Sequence, residues 1–301
     1  MRNFISEDDI EQAILSKLKA EPFKYDILIC DADPSKRDDL NDGTGRNSKK
    51  ECVLPDVMLS SLKRINPAIE EDKIKEIVKT LRQDYTGTDI VDTNYKLYRQ
   101  IRNNIKITVR RNGKKDFDFV KLIDFEHPEI NTFTAVSQMW IQGKVYYRRP
   151  DILIFVNGMP LVFIELKNSI VKVEEAYNKN LKDYMRDIPN LFAFNQICVL
   201  SNGLETKLGA FNATYDYFFE WLKIDSEKEK LDREAILAAD NVKDSSVRYF
   251  VDGLLNKDRL IDYIENFILF ENQRIKIIAK NHQYLGVNNL MESVENRKEL
   301  N

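Results

Sequence analysis

A mixed α/β fold, a central β-sheet flanked by helices and followed by a helical C-terminal segment, is the architecture this 301-residue chain predicts. Three observations carry that expectation. Two apolar, β-branched runs, 151–156 and 161–166, flank Asn157-Gly158, the dipeptide that most strongly favours a tight hairpin. Both runs are apolar at nearly every position, so the hairpin is expected in the middle of the sheet, covered on both faces. A helical pattern after Lys167 and a second apolar run at 195–203 then give a strand–helix–strand order, in which the last strand can run parallel to 161–166.

The N-terminal half supplies helices. Ser6 is a good N-cap, Asp8 and Asp9 suit a helix N-terminus, and Ile10, Ala13, Ile14, Leu15 and Leu18 follow at helical spacing, so 7–19 is predicted amphipathic. Residues 25–30 form a short strand, and the polar stretch 31–50 is expected to be a mobile loop. Its Gly43-Thr44-Gly45-Arg46 lacks the Lys-Ser/Thr and preceding strand of a phosphate-binding loop. Helices are expected at 55–65, 70–84 and 92–103. Strands at 105–109 and 117–124 enclose a basic tip, Arg110, Arg111, Asn112, Gly113, Lys114 and Lys115, which suits either solvent or a phosphate backbone. A further strand at 133–141 and a turn at Gly143-Lys144 lead into the hairpin.

Beyond it, Val173, Ala176, Tyr177, Asn180, Leu181 and Tyr184 share one helical face, with Asn180 and Tyr184 stacked at i, i+4. After residue 209 the composition changes. Tyr215, Tyr217, Phe218, Phe219 and Trp221 read as core aromatics rather than a nucleic-acid stacking platform, because basic residues are not interleaved with them. Helices are expected at 225–239, 247–255, 259–269 and 271–295. The chain thus divides into a 1–210 unit and a mostly helical 211–301 segment.

Composition excludes several classes. A net charge of −3 offers no global attraction for nucleic acid, so any such contact must be local. Cys30, Cys52 and Cys198 are odd in number and widely spaced, and His127 and His282 are the only histidines; neither a disulfide framework nor a zinc site fits. The acidic N-terminus is unlike a signal peptide, no apolar run is long enough to cross a membrane, and no repeat is visible. A cytoplasmic protein is expected.

Charges inside the apolar hairpin carry the functional reading. Asp151 stands at its entry, Glu165 and Lys167 at its exit, where an unpaired charge costs several kcal/mol unless it meets a partner or a metal. Two carboxylates on adjacent strands can hold Mg²⁺, and Lys167, on the same strand face as Glu165, can orient or help deprotonate an attacking water. One detail resists. With a plain two-residue turn Asp151 pairs with Ile164 and projects away from Glu165. A shared metal therefore requires either a three-residue loop, Asn157-Gly158-Met159, or a bulge near Pro160.

The string RRPDILIFVNGMPLVFIELKN resembles the PD-(D/E)xK nuclease motif of the R (restriction and translocation) subunit of type I restriction enzymes, and IPNLFAFNQICVLSNG is similar to the same family. The resemblance is close over 125–210 and looser over 1–285. It implies a restriction-endonuclease-like fold and a Mg²⁺-dependent endonuclease acting on duplex DNA, with Mn²⁺ as a substitute. Asp151 and Glu165 would be metal ligands, joined by the Leu166 carbonyl. Glu11, with Glu7 behind it, matches a glutamate that family members carry on an N-terminal helix, although a solvated carboxylate fits Glu11 as well. Asn180 and Tyr184 match a Gln-x-x-x-Tyr element proposed to steer DNA; asparagine replaces glutamine here. Asn131 and Phe133 match an Asn-x-Phe lead-in. Gln283 matches an adenine-sensing glutamine preceding an ATP-driven motor. No Walker A motif occurs, so ATP would be used only by a longer polypeptide of which this is the front part. The implied partners are the specificity and methyltransferase subunits, with target recognition left to the former. A non-catalytic docking module, a repair exonuclease or a junction resolvase on the same scaffold are the competing readings; intact Asp151, Glu165 and Lys167 argue against the first.

Overall fold

The computed structural model describes residues 4–226, 228–239 and 241–299, with side chains through residue 296; the remaining positions of the two segments expected from sequence lie outside the described residues. Asn157 and Gly158 both take positive φ, 49° and 78°, as a two-residue hairpin turn requires. They join β7 (Ile152–Val156) to β8 (Met159–Leu166). Val156 pairs with Met159, so the three-residue loop does not form. The bulge does: Phe155 pairs with Pro160 and Ile154 with Val162, leaving Leu161 unpaired. Proline has no N–H for the ladder, which makes its neighbourhood the natural place for pairing to slip. Leu161 and Val162 consequently face the same core as Ile152 and Ile154, whereas Phe163 joins Leu153 and Phe155 in a second core on the opposite face.

Seven strands form the main sheet, in the order β1 (Asp26–Ile29), β4 (Phe133–Ser137), β7, β8, β9 (Ile197–Ser201), β10 (Thr206–Gly209) and β11 (Phe219–Glu220). The β1–β4 and β8–β9 pairs are parallel and the others antiparallel, so the expected parallel return strand is present. All residues of β7 and β8 are buried, as a central position demands.

On one face pack α1 (Glu7–Lys19), α2 (Pro55–Ile65), α3 (Glu71–Leu81) and α4 (Ile90–Asn103), through Ile10, Ile14, Met58, Leu62, Ile74 and Leu97 among others. Ser6 caps α1 in a reciprocal box with Asp9, and Pro55 opens α2 at the first turn, where its missing N–H costs nothing. The other face is covered by a helical segment with α5 (Val173–Glu175), a π-helical turn (Ala176–Leu181) and α6 (Lys182–Asp187). The sequence pattern predicted a plain α-helix there; the wider turn is the difference.

Further corrections concern the flanks. The ribbon β2 (Ile105–Arg111) and β3 (Lys114–Val120) is longer at its tip than expected and stands apart from the main sheet. The 133–141 strand is divided, ending at Ser137, with β5 (Ile141–Gln142) pairing separately with β6 (Tyr147–Arg148). Among the described residues of 225–239 only α7 (Arg233–Leu237) is helical. The predicted helices over 259–269 and 271–295 are instead α9 (Lys257–Asn266), a hairpin of β12 (Ile268–Glu271) and β13 (Ile275–Ile278), and α10 (Asn281–Glu299). Asn272 and Gln273 turn that hairpin at φ 49° and 62°, and β13 alternates exposed Ile275 and Ile277 with buried Lys276 and Ile278.

The 31–50 stretch is largely irregular, as expected, but its second half is fastened rather than loose. Buried Arg46 and Lys49 both bind Asp42, at 2.9 and 2.6 Å, and Arg46 also donates to the carbonyls of Glu51 and Trp140. Trp221 packs on Tyr263 and Tyr284 and shares the core of α1 with α8 (Ser246–Leu254) and α9; Tyr217 is the exposed exception among the five aromatics. Among the described residues no helix is long and apolar enough to cross a membrane. The whole is a restriction-endonuclease-like mixed sheet with helices on both faces.

The hairpin turn is wedged against the start of α2. Leu54 N–H donates to the Gly158 carbonyl at 2.9 Å, and a Cβ on Gly158 would lie 2.6 Å from the Leu54 carbonyl and 2.7 Å from the Met58 nitrogen. Gly158→Ala combines that backbone clash with a positive φ. It is expected to destabilise the fold by about 2 kcal/mol or more, read as a lowered midpoint in urea with an unchanged slope.

Candidate active site

Because the bulge shifts the register by one, Ile152 lies opposite Ile164, and continuing that register puts Asp151 opposite Glu165 on one sheet face. The expectation that these two carboxylates meet depended on this shift. Asp151 sits just before β7, its carbonyl accepting the Gln138 N–H at 2.9 Å and its Oδ2 accepting the Leu166 N–H at 2.7 Å. Glu165 is 2% exposed. Its Oε1 accepts from Lys167 Nζ at 3.1 Å, while its Oε2 is buried with no hydrogen-bond partner. Lys167 Nζ also donates to the Leu166 carbonyl at 2.6 Å and lies 4.0 Å from Glu7 Oε1.

Burial sets the electrostatics. It lifts the Asp151 carboxyl to about 6, against the opposing pull of the Leu166 N–H and of Lys167, with Glu11 and Glu7 adding to the rise. The same burial, reinforced by the Asp151 charge, holds Glu165 well above the ordinary carboxylate range. For Lys167 burial acts downward, but Glu165, Glu7 and Asp151 outweigh it and the ammonium is raised above its usual value. Lys167 therefore carries its proton at neutral pH, which favours orienting and charge-offsetting over proton abstraction. Glu165, Glu7 and Asp151 all act on this one ammonium, and Glu11 acts on Asp151, so acidic groups outnumber the lysine at the site.

Glu11 is not a solvated carboxylate. It is 7% exposed on the inner side of α1, accepting a short hydrogen bond from the Ser137 hydroxyl and one of 2.6 Å from the Gln138 amide. Tyr184 is buried, with its ring edge-on to Phe163, its hydroxyl donating to the Arg149 carbonyl at 3.2 Å, and its phenol raised by burial and then by the neighbouring Glu165 charge. Asn180 lies in the π-helical turn and adjoins the same hydroxyl. Asn180, Tyr184, Trp140, Arg149 and Lys179 line a cleft of about 350 Å³ beside the carboxylates, with the Arg149 guanidinium 5.4 Å over the Trp140 ring.

Other predicted residues are placed elsewhere. Arg110, Arg111, Lys114 and Lys115 cluster at the tip of the separate ribbon, where Arg111 is engaged by Asp116 and Asp118 at 2.7 Å each. Gln283 uses its side-chain oxygen to accept the Lys280 N–H at 2.8 Å, a cap for α10. Asn131 and Asn157 form a buried network: Asn157 donates to Asn131 at 2.7 Å and to the Leu122 carbonyl, and Asn131 binds the Asp124 backbone. Asp124, Glu126 and His127 bring ligand-type atoms within 4.8 Å of one another, but the Asp124 carboxylate is already committed to Lys121 and to two backbone N–H groups. Sequence reasoning missed Ser137 and Gln138, the partners of Glu11. Their sole signal was two polar residues closing an apolar strand.

Residues 4–217 match a family model described as the type I restriction enzyme R protein N terminus. The chain is 32% identical over 298 residues to the HindI type I restriction enzyme endonuclease subunit of Haemophilus influenzae, covering 96% of this chain and 27% of that one. It is also 32% identical over 262 residues to a putative type I restriction enzyme endonuclease subunit, MjaIXP, of Methanocaldococcus jannaschii, covering 80% and 24%. It thus spans about a quarter of the length of these curated relatives.

The raised Asp151 carboxyl has a stability consequence. Its folded value, about 6, exceeds the ordinary 3.8, so the buried charge destabilises the fold fully above about pH 6 and not at all below about pH 4. Asp151→Asn keeps an acceptor for the Leu166 N–H. Without divalent cation it is expected to be more stable than wild type at pH 8, by on the order of 3 kcal/mol, and to lose that gain as pH falls to 4. Denaturant melts across this range check the sign.

Proposed function

This chain belongs to the family of type I restriction enzyme R protein N-termini, and from that premise we propose that it is a Mg²⁺-dependent endonuclease domain cutting duplex DNA. The observation that carries the reading is the bulged register of the hairpin, which sets Asp151 on the same sheet face as Glu165, with Glu165 Oε2 buried and unpartnered and Lys167 alongside. An orphaned carboxylate oxygen among acids that outnumber the one lysine fits a hard divalent cation, which prefers oxygen ligands. Asp151 and Glu165 would hold it. The Leu166 carbonyl and Glu11 are the further oxygen donors, each released from, or shared with, its present hydrogen bond. Mn²⁺ should substitute.

When bound, the ion would lower the pKa of water and polarise the scissile phosphate. The chain's own residues do the rest. Lys167, held protonated, orients the attacking water and offsets negative charge growing on the phosphate oxygens. Tyr184 and Asn180 position the strand in the adjoining cleft, where Arg149 and Lys179 supply positive charge to the phosphate backbone. Arg110, Lys114 and Lys115 give a second, more distant backbone contact, weakening with salt.

The full-length subunit would add an ATP-driven DNA translocase, with Gln283 near its nucleotide, and would work with specificity and methyltransferase subunits in the cytoplasm. Residues 1–210 would form the nuclease unit and 211–301 the connection toward the motor.

The test is cleavage by the full-length subunit assembled with its partner subunits. Asp151→Ala, Glu165→Ala and Lys167→Ala are each expected to reduce cutting by about a hundredfold or more while circular dichroism and ATP hydrolysis persist. Calorimetric titration with Mn²⁺ should show binding to wild type and none to Asp151→Ala. Near-wild-type cutting in all three variants would overturn the nuclease assignment and favour a docking module.

A further inference from the structure

Gln138 follows β4 directly, at φ 58°, a left-handed conformation that a glutamine rarely adopts and that persists only where its surroundings hold it. What it touches explains the placement. Its backbone N–H donates to the Asp151 carbonyl at 2.9 Å, and its side-chain Nε2 donates to Glu11 Oε2 at 2.6 Å. One residue is therefore bonded to two of the acids at the site, one through its main chain and one through its side chain. Its remaining polar atom, Oε1, is buried and has no hydrogen-bond partner among the described residues. The amide cannot be turned over to relieve this, since Oε1 would then face the Glu11 carboxylate, acceptor against acceptor. A buried acceptor without a donor is costly, and a donor supplied by a ligand removes that cost.

We propose that Gln138 is a positioning residue of the carboxylate site, holding Asp151 and Glu11 in place and offering Oε1 to a water carried by the bound divalent cation. The inference deepens the metal-dependent reading above and rests on it. The left-handed backbone is part of the device: in an extended conformation the N–H and the side chain of one strand residue would diverge, whereas here both are directed to acidic residues of the same site. Ser137, the last residue of β4, supports the arrangement by donating to the other oxygen of Glu11. Glu11 is thereby fixed by two consecutive residues.

Gln138→Met keeps the length of the side chain and removes both hydrogen-bonding functions. Gln138→Gly removes the side chain but suits positive φ, so it should fold at least as well as wild type. Mn²⁺ titrated calorimetrically into this chain without DNA is expected to bind about 10–100-fold more weakly to both variants, the range typical of lost outer-shell partners. Melting in the absence of metal should stay near wild type for Gln138→Gly. If Gln138 acts on Glu11, combining Gln138→Met with Glu11→Gln should weaken Mn²⁺ binding by less than the product of the separate effects. Wild-type affinity in Gln138→Gly, or fully multiplicative effects in the double variant, would overturn the proposal while leaving metal binding intact. Absence of Mn²⁺ binding to the wild-type chain would instead remove the metal-dependent reading and this inference together.

Discussion

One unpaired residue, Leu161, governs the site. Without it Asp151 would lie across from Ile164, and the two carboxylates would occupy opposite faces of a sheet buried on both sides. With it, both acids fall on the face covered by the helical segment from Val173 to Asp187. The bulge is tolerated because Pro160 has no N–H to donate to the ladder in any case, and because Leu161 and Val162 both find apolar neighbours on the α1 face. The turn above it is locked in turn. Asn157 is wholly buried and bonded to Asn131 and Leu122, while Gly158 meets the first turn of α2 with no room for a side chain.

Burial then dictates the electrostatics. Carboxylates so placed are driven toward neutrality, and a single lysine does not compensate them. The fold thus holds acids where their charge destabilises it, the balance on which the proposed cation site rests. Surrounding elements tie the site together: β4 delivers Ser137 and Gln138 to Glu11, and α6 carries Tyr184 against Phe163. The π-helical turn just before α6 changes the winding at the residues that line the cleft, a feature found often at functional sites.

Much of this was legible from residue order. The NG turn, the capped helix from Glu7, the proline-initiated helix at Pro55 and the parallel return of β9 all follow from local rules of turn, cap and period. Errors occurred where short segments satisfy two periods. The helices expected over 259–269 and 271–295 give way between Ile268 and Ile278, where two residues at positive φ and alternating isoleucines make a hairpin whose inner face buries Lys276 against Asn195 and Gln196. The 31–50 loop looked mobile because it is polar; its Asp42, Arg46 and Lys49 satisfy one another in a buried cluster that spacing alone does not disclose. Residues after 209 add β11 to the sheet edge, and Trp221 just past it joins Phe250 of α8 in closing the α1 core.

By itself the sequence determined the mixed α/β class, the hairpin, and the identity of Asp151, Glu165 and Lys167 as charges needing a purpose, because burial of apolar runs and turn preferences are local properties of the chain. It also narrowed the turn to two geometries. Tertiary structure alone decided between them, and it alone brought Glu11 to Ser137 and Gln138, since those contacts join residues more than a hundred positions apart. No periodicity encodes such a meeting; it exists only once strand register and helix packing have been set together.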